Sequence, residues 1–149
     1  MMIHAAERVL LTLWVGSLWG VGYVAAPLLF THLDDPAAAG HAAGAMFHTV
    51  AWIGIVCGTV LAVAQWRHKI RPVAAHWRLW LVVAMVLLTF LGEFVIRPPM
   101  AEFVPPLDGT DPAADAAFYG MYRFAESLYF LNSVIALVLV AGGMQPRDA

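Results

Sequence analysis

Val9-Leu10-Leu11-Thr12-Leu13-Trp14-Val15-Gly16-Ser17-Leu18-Trp19-Gly20-Val21-Gly22-Tyr23-Val24-Ala25-Ala26-Pro27-Leu28-Leu29-Phe30 runs for 22 residues without an Asp, Glu, Lys, Arg or His. An α-helix rises about 1.5 Å per residue, so about 20 apolar residues cross the hydrocarbon core of a bilayer. Three more stretches have the same character. Ala42 to Trp66 carries only His48 and Gln65 as strongly polar residues, and the others cover Trp77 to Ile96 and Phe118 to Met144. The pattern predicts an all-α protein, an integral membrane four-helix antiparallel bundle. It forms one transmembrane domain over residues 1–149, with spans at about 9–30, 42–66, 77–96 and 118–144.

Composition agrees. Hydrophobic residues make up 62% of the chain and charged residues 12%, against about 45–50% and 25% in soluble domains. Too little sequence remains outside the spans for a soluble domain, so a site has to lie in the bundle or on its loops. The first span is longer than the apolar core of a signal peptide, and Pro27 directly follows its one small-residue site; it is expected to stay as an anchor. Cys57 lies within the second span, which excludes disulfide scaffolds and thiol zinc motifs and makes it a small packing residue.

Lys and Arg in short loops set orientation. The connection from Trp66 to Arg78 holds Arg67, Lys69, Arg71 and Arg78, while Arg8 precedes the first span and Arg147 follows the last. The other two connections carry Asp34 and Asp35, and Glu102, Asp108, Asp111 and Asp115. Both termini and the basic loop are therefore expected in the cytoplasm, with only Arg97 and Arg123 on the outer side. The basic loop reads as a topology signal near anionic lipid, and no nucleic-acid partner is expected.

Helices in lipid associate through small residues and polar contacts. Gly16 and Gly20 on the first span, and Gly54, Gly58 and Ala62 on the second after Gly40 and Gly44, form two smooth stripes. These favour packing within the chain over a subunit interface, although a membrane protein partner or a homo-oligomer stays open. Pro27 should bend the first span, Pro98 and Pro99 should stop the third, and residues 100–117 should form an irregular cap. Trp14, Trp66, Trp77 and Trp80 suggest an aromatic belt at the inner boundary.

Few polar residues fall inside the spans, and charged ones there turn inward and pair. Glu93 and Arg97, four apart, share a helix face with Thr89. Tyr119, Tyr122, Glu126, Tyr129 and Ser133 line one stripe of the fourth span, with Arg123 beside it. Glu93 should sit roughly 5 Å below the outer surface and Glu126 roughly 12 Å. The expected cluster joins Glu93 and Glu126 to Arg97 and Arg123, completed by the hydroxyls of Tyr119 and Tyr122. It serves either as a pocket for a headgroup, an anion or a proton, or as a structural clamp. Asn132, on another face, should hydrogen-bond a neighbouring helix.

His32, His41 and His48 lie at the outer end of the first hairpin, with His41 and His48 seven apart on one face. Imidazole with a nearby carboxylate or Met46 thioether suits copper or zinc, though the spacing matches no zinc pattern. Haem b would need His48 and an unusual second ligand, since the third and fourth spans hold no His. No cofactor is expected from a motif, and no catalytic triad or phosphate-binding glycine loop is present.

Leu13-Trp14-Val15-Gly16 leading to Ala26-Pro27-Leu28-Leu29-Phe30, then Ala43-Gly44-Ala45-Met46-Phe47, then the aromatic-rich Phe118 to Asn132, together resemble one family. It comprises small bacterial four-span membrane proteins of unknown function related to the eukaryotic transmembrane protein 205. The resemblance covers nearly the whole chain. Its members often carry a His-Gly step near the start of the last span; Tyr122-Arg123-Phe124-Ala125-Glu126 has neither, so no role of that His transfers. The family is distantly similar to copper-resistance and haem-associated four-helix membrane proteins.

The residues support three readings. The leading one is a multi-pass protein of the bacterial inner membrane that is non-enzymatic, an accessory subunit or a small-ligand binder using the outer polar cluster. The second is a metal-handling or haem-binding protein using His41 and His48. The third is a proton-coupled porter or membrane-embedded enzyme using Glu93 and Glu126.

Overall fold

Proline, which usually ends helices, begins two of them here. In the computed structural model, which describes residues 2–67, 77–102 and 112–142, Pro36 opens α3 (Pro36–Arg67) and Pro112 opens α6 (Pro112–Gly142). At the first helical position a missing N–H costs nothing and the ring presets φ. Alanines follow both prolines and propagate the helix well. The Ala39 N–H donates to the Asp35 carbonyl at 3.0 Å, closing the first turn of α3. Both helices thus start ahead of the apolar runs at 42 and 118. The 32 residues of α3 reach about 48 Å on the helical rise, more than the roughly 30 Å of hydrocarbon. Its ends project past the core or the helix tilts.

The first and third spans each contain a π-helical segment. α1 (Met2–Trp19) passes through Gly20–Ala25 into α2 (Ala26–His32), and α4 (Trp77–Leu91) passes through Gly92–Ile96 into α5 (Arg97–Glu102). In both, the residue closing the wide turn reaches five residues back, Ala26 N–H to Val21 and Arg97 N–H to Gly92. In both, a proline comes next. A proline ring collides with the carbonyl four residues before it and removes one donor; widening the preceding turn accommodates both. The expected stop at Pro98 and Pro99 does not occur for this reason, and the helix continues to Glu102.

All described elements are helical, and four spans are long and apolar enough to cross a membrane: Ala5–His32, Ala38–Arg67, Trp77–Met100 and Pro112–Gly142. α3 packs on α4 and α1, and α4 packs on α6. Val9, Leu13, Val56, Leu87 and Phe130 are each more than half exposed. Such a girdle is unfavourable in water and matched by acyl chains. The chain is a multi-pass membrane protein.

Trp14, expected in an interfacial belt, is instead the centre of the core at 0% exposure, among Val15, Cys57, Leu61, Val82, Met85, Ala136 and Leu139. Gly54 and Gly58 make room for it: a Cβ at either would strike the Trp14 ring, and one at Gly58 would also strike Val86. Gly16, Gly20, Gly40 and Gly44 face open space, so only the second-span stripe serves this packing. Trp66, Trp77 and Trp80 are exposed, as a belt requires. The Arg78 guanidinium donates to the Gly142 carbonyl, satisfying a helix C-terminus. Much of the expected basic loop (68–76), most of the expected cap (103–111) and the chain beyond Gly142, including Arg147, lie outside the described residues.

Candidate functional site

The Gly92–Ile96 π segment sets the direction of Glu93 and Arg97. A wide turn adds a residue and rotates the helix beyond it, yet Arg97 Nη1 still donates to Glu93 Oε1 across the four-residue step. The third member comes from α3. His48 Nδ1 meets both Glu93 Oε1 and Arg97 Nη1. Three ionisable groups from two spans therefore share one contact point. The Glu93 side chain is only 8% exposed, whereas those of His48 and Arg97 are each 42% exposed. The carboxylate lies inside and the two basic groups lie between it and the bundle surface. A carboxylate in such a place is costly by a few kcal/mol unless paired; here the guanidinium pairs it.

An aromatic rail borders the cluster. Trp52 meets the His48 ring edge-on at 6.2 Å and the Phe94 ring at 6.0 Å, and Phe94 lies against Phe90 at 4.5 Å. Edge-to-face pairs at these separations are favourable. They hold the imidazole against rotation.

One turn deeper on the same helix, Thr89 continues the polar track. Asn132 Nδ2 donates to Thr89 Oγ1 at 3.1 Å, and that hydroxyl donates to the Met85 carbonyl at 2.8 Å. Asn132 thus fills its expected role of bonding another helix. Its Oδ1 and the neighbouring Ser133 Oγ are buried without a partner. Below this level the apolar core around Trp14 and Met85 begins.

The expected cluster is only partly assembled. Glu93 and Arg97 meet, but Tyr119, Tyr122, Arg123 and Glu126 lie on the exposed surface of α6. Among the described residues, neither Arg123 nor Glu126 makes an ion pair. The tyrosine that does turn inward is Tyr129, whose hydroxyl donates to the Leu18 carbonyl just before the first π segment. Its ring packs edge-on to Phe47 at 5.2 Å and fills the space a side chain at Gly22 would need.

The three histidines do not converge. His32 is exposed at the end of α2, its Nδ1 3.0 Å from the Leu28 carbonyl, and His41 is exposed on α3. Among the described residues no group of three or more His, Cys, Asp or Glu side chains is arranged to hold a metal. His48 belongs with the acid and guanidinium of the third span. Sequence alone placed His48 and Glu93 at one end of the bundle without joining them, because the rotation of α3 about its axis is set by where Gly54 and Gly58 receive Trp14.

Residues 9–104 match a domain of unknown function, DUF4149. No curated protein and no solved structure matches the chain.

Proposed function

We propose, for a chain that belongs to the DUF4149 family, a non-enzymatic role as a small-ligand-binding or accessory bundle of the bacterial inner membrane. The ligand carries an acidic group, as a lipid headgroup or small anion does. It is held at the outer end of the bundle by Arg97. One observation carries this reading: the Glu93–Arg97–His48 cluster spans two helices beside a π segment, a feature frequent at functional sites. A guanidinium has five N–H donors. Among the described residues, Glu93 and His48 engage only Nη1, and on a half-open side chain the other donors suit a carboxylate or phosphate.

The topology belongs to the same proposal. Arg78 at the start of α4 bonds Gly142 at the end of α6, while Thr89, later in α4, bonds Asn132, earlier in α6. These pairs support spans running in opposite directions. The basic residues near the first span's start and in the second connection support cytoplasmic termini. Kinship with small bacterial four-span proteins related to transmembrane protein 205 is supported by Leu13–Gly16 and Ala26–Phe30, which both fall in the matched range. The porter reading is disfavoured by the apolar layer beneath Thr89 and Asn132.

The test is native mass spectrometry of protein released from nanodiscs of phosphatidylcholine with phosphatidylglycerol, alongside titration with inorganic phosphate. Wild type should retain phosphatidylglycerol or bind phosphate, and Arg97→Ala should lose about tenfold in affinity, the worth of one charge-assisted hydrogen bond. Equal retention by both proteins would remove Arg97 from the site.

A further inference from the structure

His48 Nδ1 cannot satisfy both of its neighbours in one protonation state. A ring nitrogen either carries a proton and donates or presents a lone pair and accepts. With its proton on Nε2, neutral His48 offers the Nδ1 lone pair to Arg97 Nη1. That amino group has two hydrogens, one for His48 and one for Glu93 Oε1, so the guanidinium bridges the pair. The cluster then sums to zero charge, Arg97 against Glu93. When His48 is doubly protonated, Nδ1–H donates to Glu93 Oε1 instead. Arg97 loses one of its two acceptors and shares the other, and the cluster gains one positive charge.

We infer that this cluster is a proton-gated anion site, in which uptake of a proton by His48 turns Arg97 from an internal bridge into a binder of an acidic group. The step balances simply: one proton passes from solvent to His48, no covalent bond between heavy atoms changes, and the incoming anion offsets the added charge. The inference rests on the reading of Arg97 as a ligand-holding residue and adds the proton as a second ligand of the same site. Geometry supplies the route, since the imidazole and guanidinium are half-open while the carboxylate is enclosed. The aromatic rail keeps the ring aligned, so the change in protonation is felt by Arg97.

Among the described residues, no other charged side chain at this end bonds the cluster. His41 lies on His48's own helix; Tyr23, His32, Asp34 and Asp35 belong to the first span and its loop. Asp115, Tyr119, Tyr122, Arg123, Glu126 and Tyr129 belong to α6. Among the described residues, the side-chain bonds of His48, Glu93 and Arg97 run to one another.

The experiment uses the full chain, labelled with nitrogen-15 histidine, in phosphatidylcholine nanodiscs. Ring nitrogen spectra of His48, assigned by the signal missing in His48→Gln, are followed from about pH 8 to 5, the range in which histidine titrates. Three series are run: no added anion, inorganic phosphate, and phosphatidylglycerol built into the disc. Linkage requires anion and proton to raise each other's affinity by the same factor. Phosphate or phosphatidylglycerol should bind about tenfold tighter at the acidic end, and the responding arm identifies whether a free anion or a headgroup is the ligand. His48 should change from an acceptor at Nδ1 to a double donor over the same range. In His48→Gln the pH dependence of anion binding should disappear. Anion affinity independent of pH, with His48 titrating identically in all three series, would overturn the gate and leave Arg97 as a plain anion site. Failure of both anions to bind at any pH would overturn the ligand-binding reading as well.

Discussion

The two ends of this bundle are held by opposite chemistries. Around Trp14 the helices interlock by shape: a large ring enters the space left by Gly54 and Gly58, walled by Val82, Met85 and Leu139. Around Glu93 they are held by one carboxylate, one guanidinium, one imidazole and a Thr89–Asn132 hydrogen bond. Lipid explains the division. Apolar helix faces gain nothing by leaving acyl chains, so shape complementarity has to do what burial does in water. Polar groups, in contrast, have no other partner at that depth. The shape-locked end is packed by apolar surface alone, and the polar end gathers the ion pair and the hydrogen bond between spans.

Breaking the interlock should have the largest effect. Trp14→Ala opens a cavity at the centre of the core and should cost about 3 kcal/mol, the lower end for aromatic truncations because no transfer from water is added. Reversible unfolding of reconstituted protein by SDS titration reads this directly, and a loss below that of the polar-end variants would reverse the comparison. Next comes Gly58→Val, whose methyls meet the Trp14 ring and Val86; overpacking of this kind costs about 1–3 kcal/mol. The paired control is Gly44→Val, which enters open space, so its midpoint should move far less. If both glycine variants lose the same amount, intrinsic helix effects rather than Trp14 govern that face.

At the polar end the expected losses are smaller. Asn132→Ala removes the bond to Thr89, worth about 0.6 kcal/mol between membrane helices, and Thr89 keeps its Met85 carbonyl. Smaller still is Glu126→Gln, on the exposed side of α6, which should stay within about 0.5 kcal/mol of wild type. A large drop in either unfolding midpoint or anion binding for Glu126→Gln would restore the four-charge cluster that spacing alone suggests.

That suggestion shows where reading from spacing stops. Glu93, Arg97 and Thr89 share a face by helical periodicity, and the structure keeps them together even through a π turn. Tyr119, Tyr122 and Glu126 also share a stripe, with Arg123 beside it, but that part of the stripe points outward, and only Tyr129 and Ser133 further along it turn in. Periodicity states which residues of one helix lie together, not which way that face is turned. Trp14 makes the same point. Its position near a span boundary suits an interfacial belt, and only the glycines of another span reveal it as the core's central side chain. Pro98 and Pro99 read as a stop because a regular α-turn cannot accept them, whereas a π turn can.

Length and polarity along the chain were sufficient for the number of spans and for lipid as their surroundings, because crossing about 30 Å of hydrocarbon is a one-dimensional requirement. The position of Glu93 and Arg97 on one face was equally local. The meeting of His48 with that pair, the exclusion of Arg123 and Glu126 from it, and the seating of Trp14 were decided by tertiary packing. Each depends on the rotation of one helix against another, and that angle is set by contacts between residues distant in sequence.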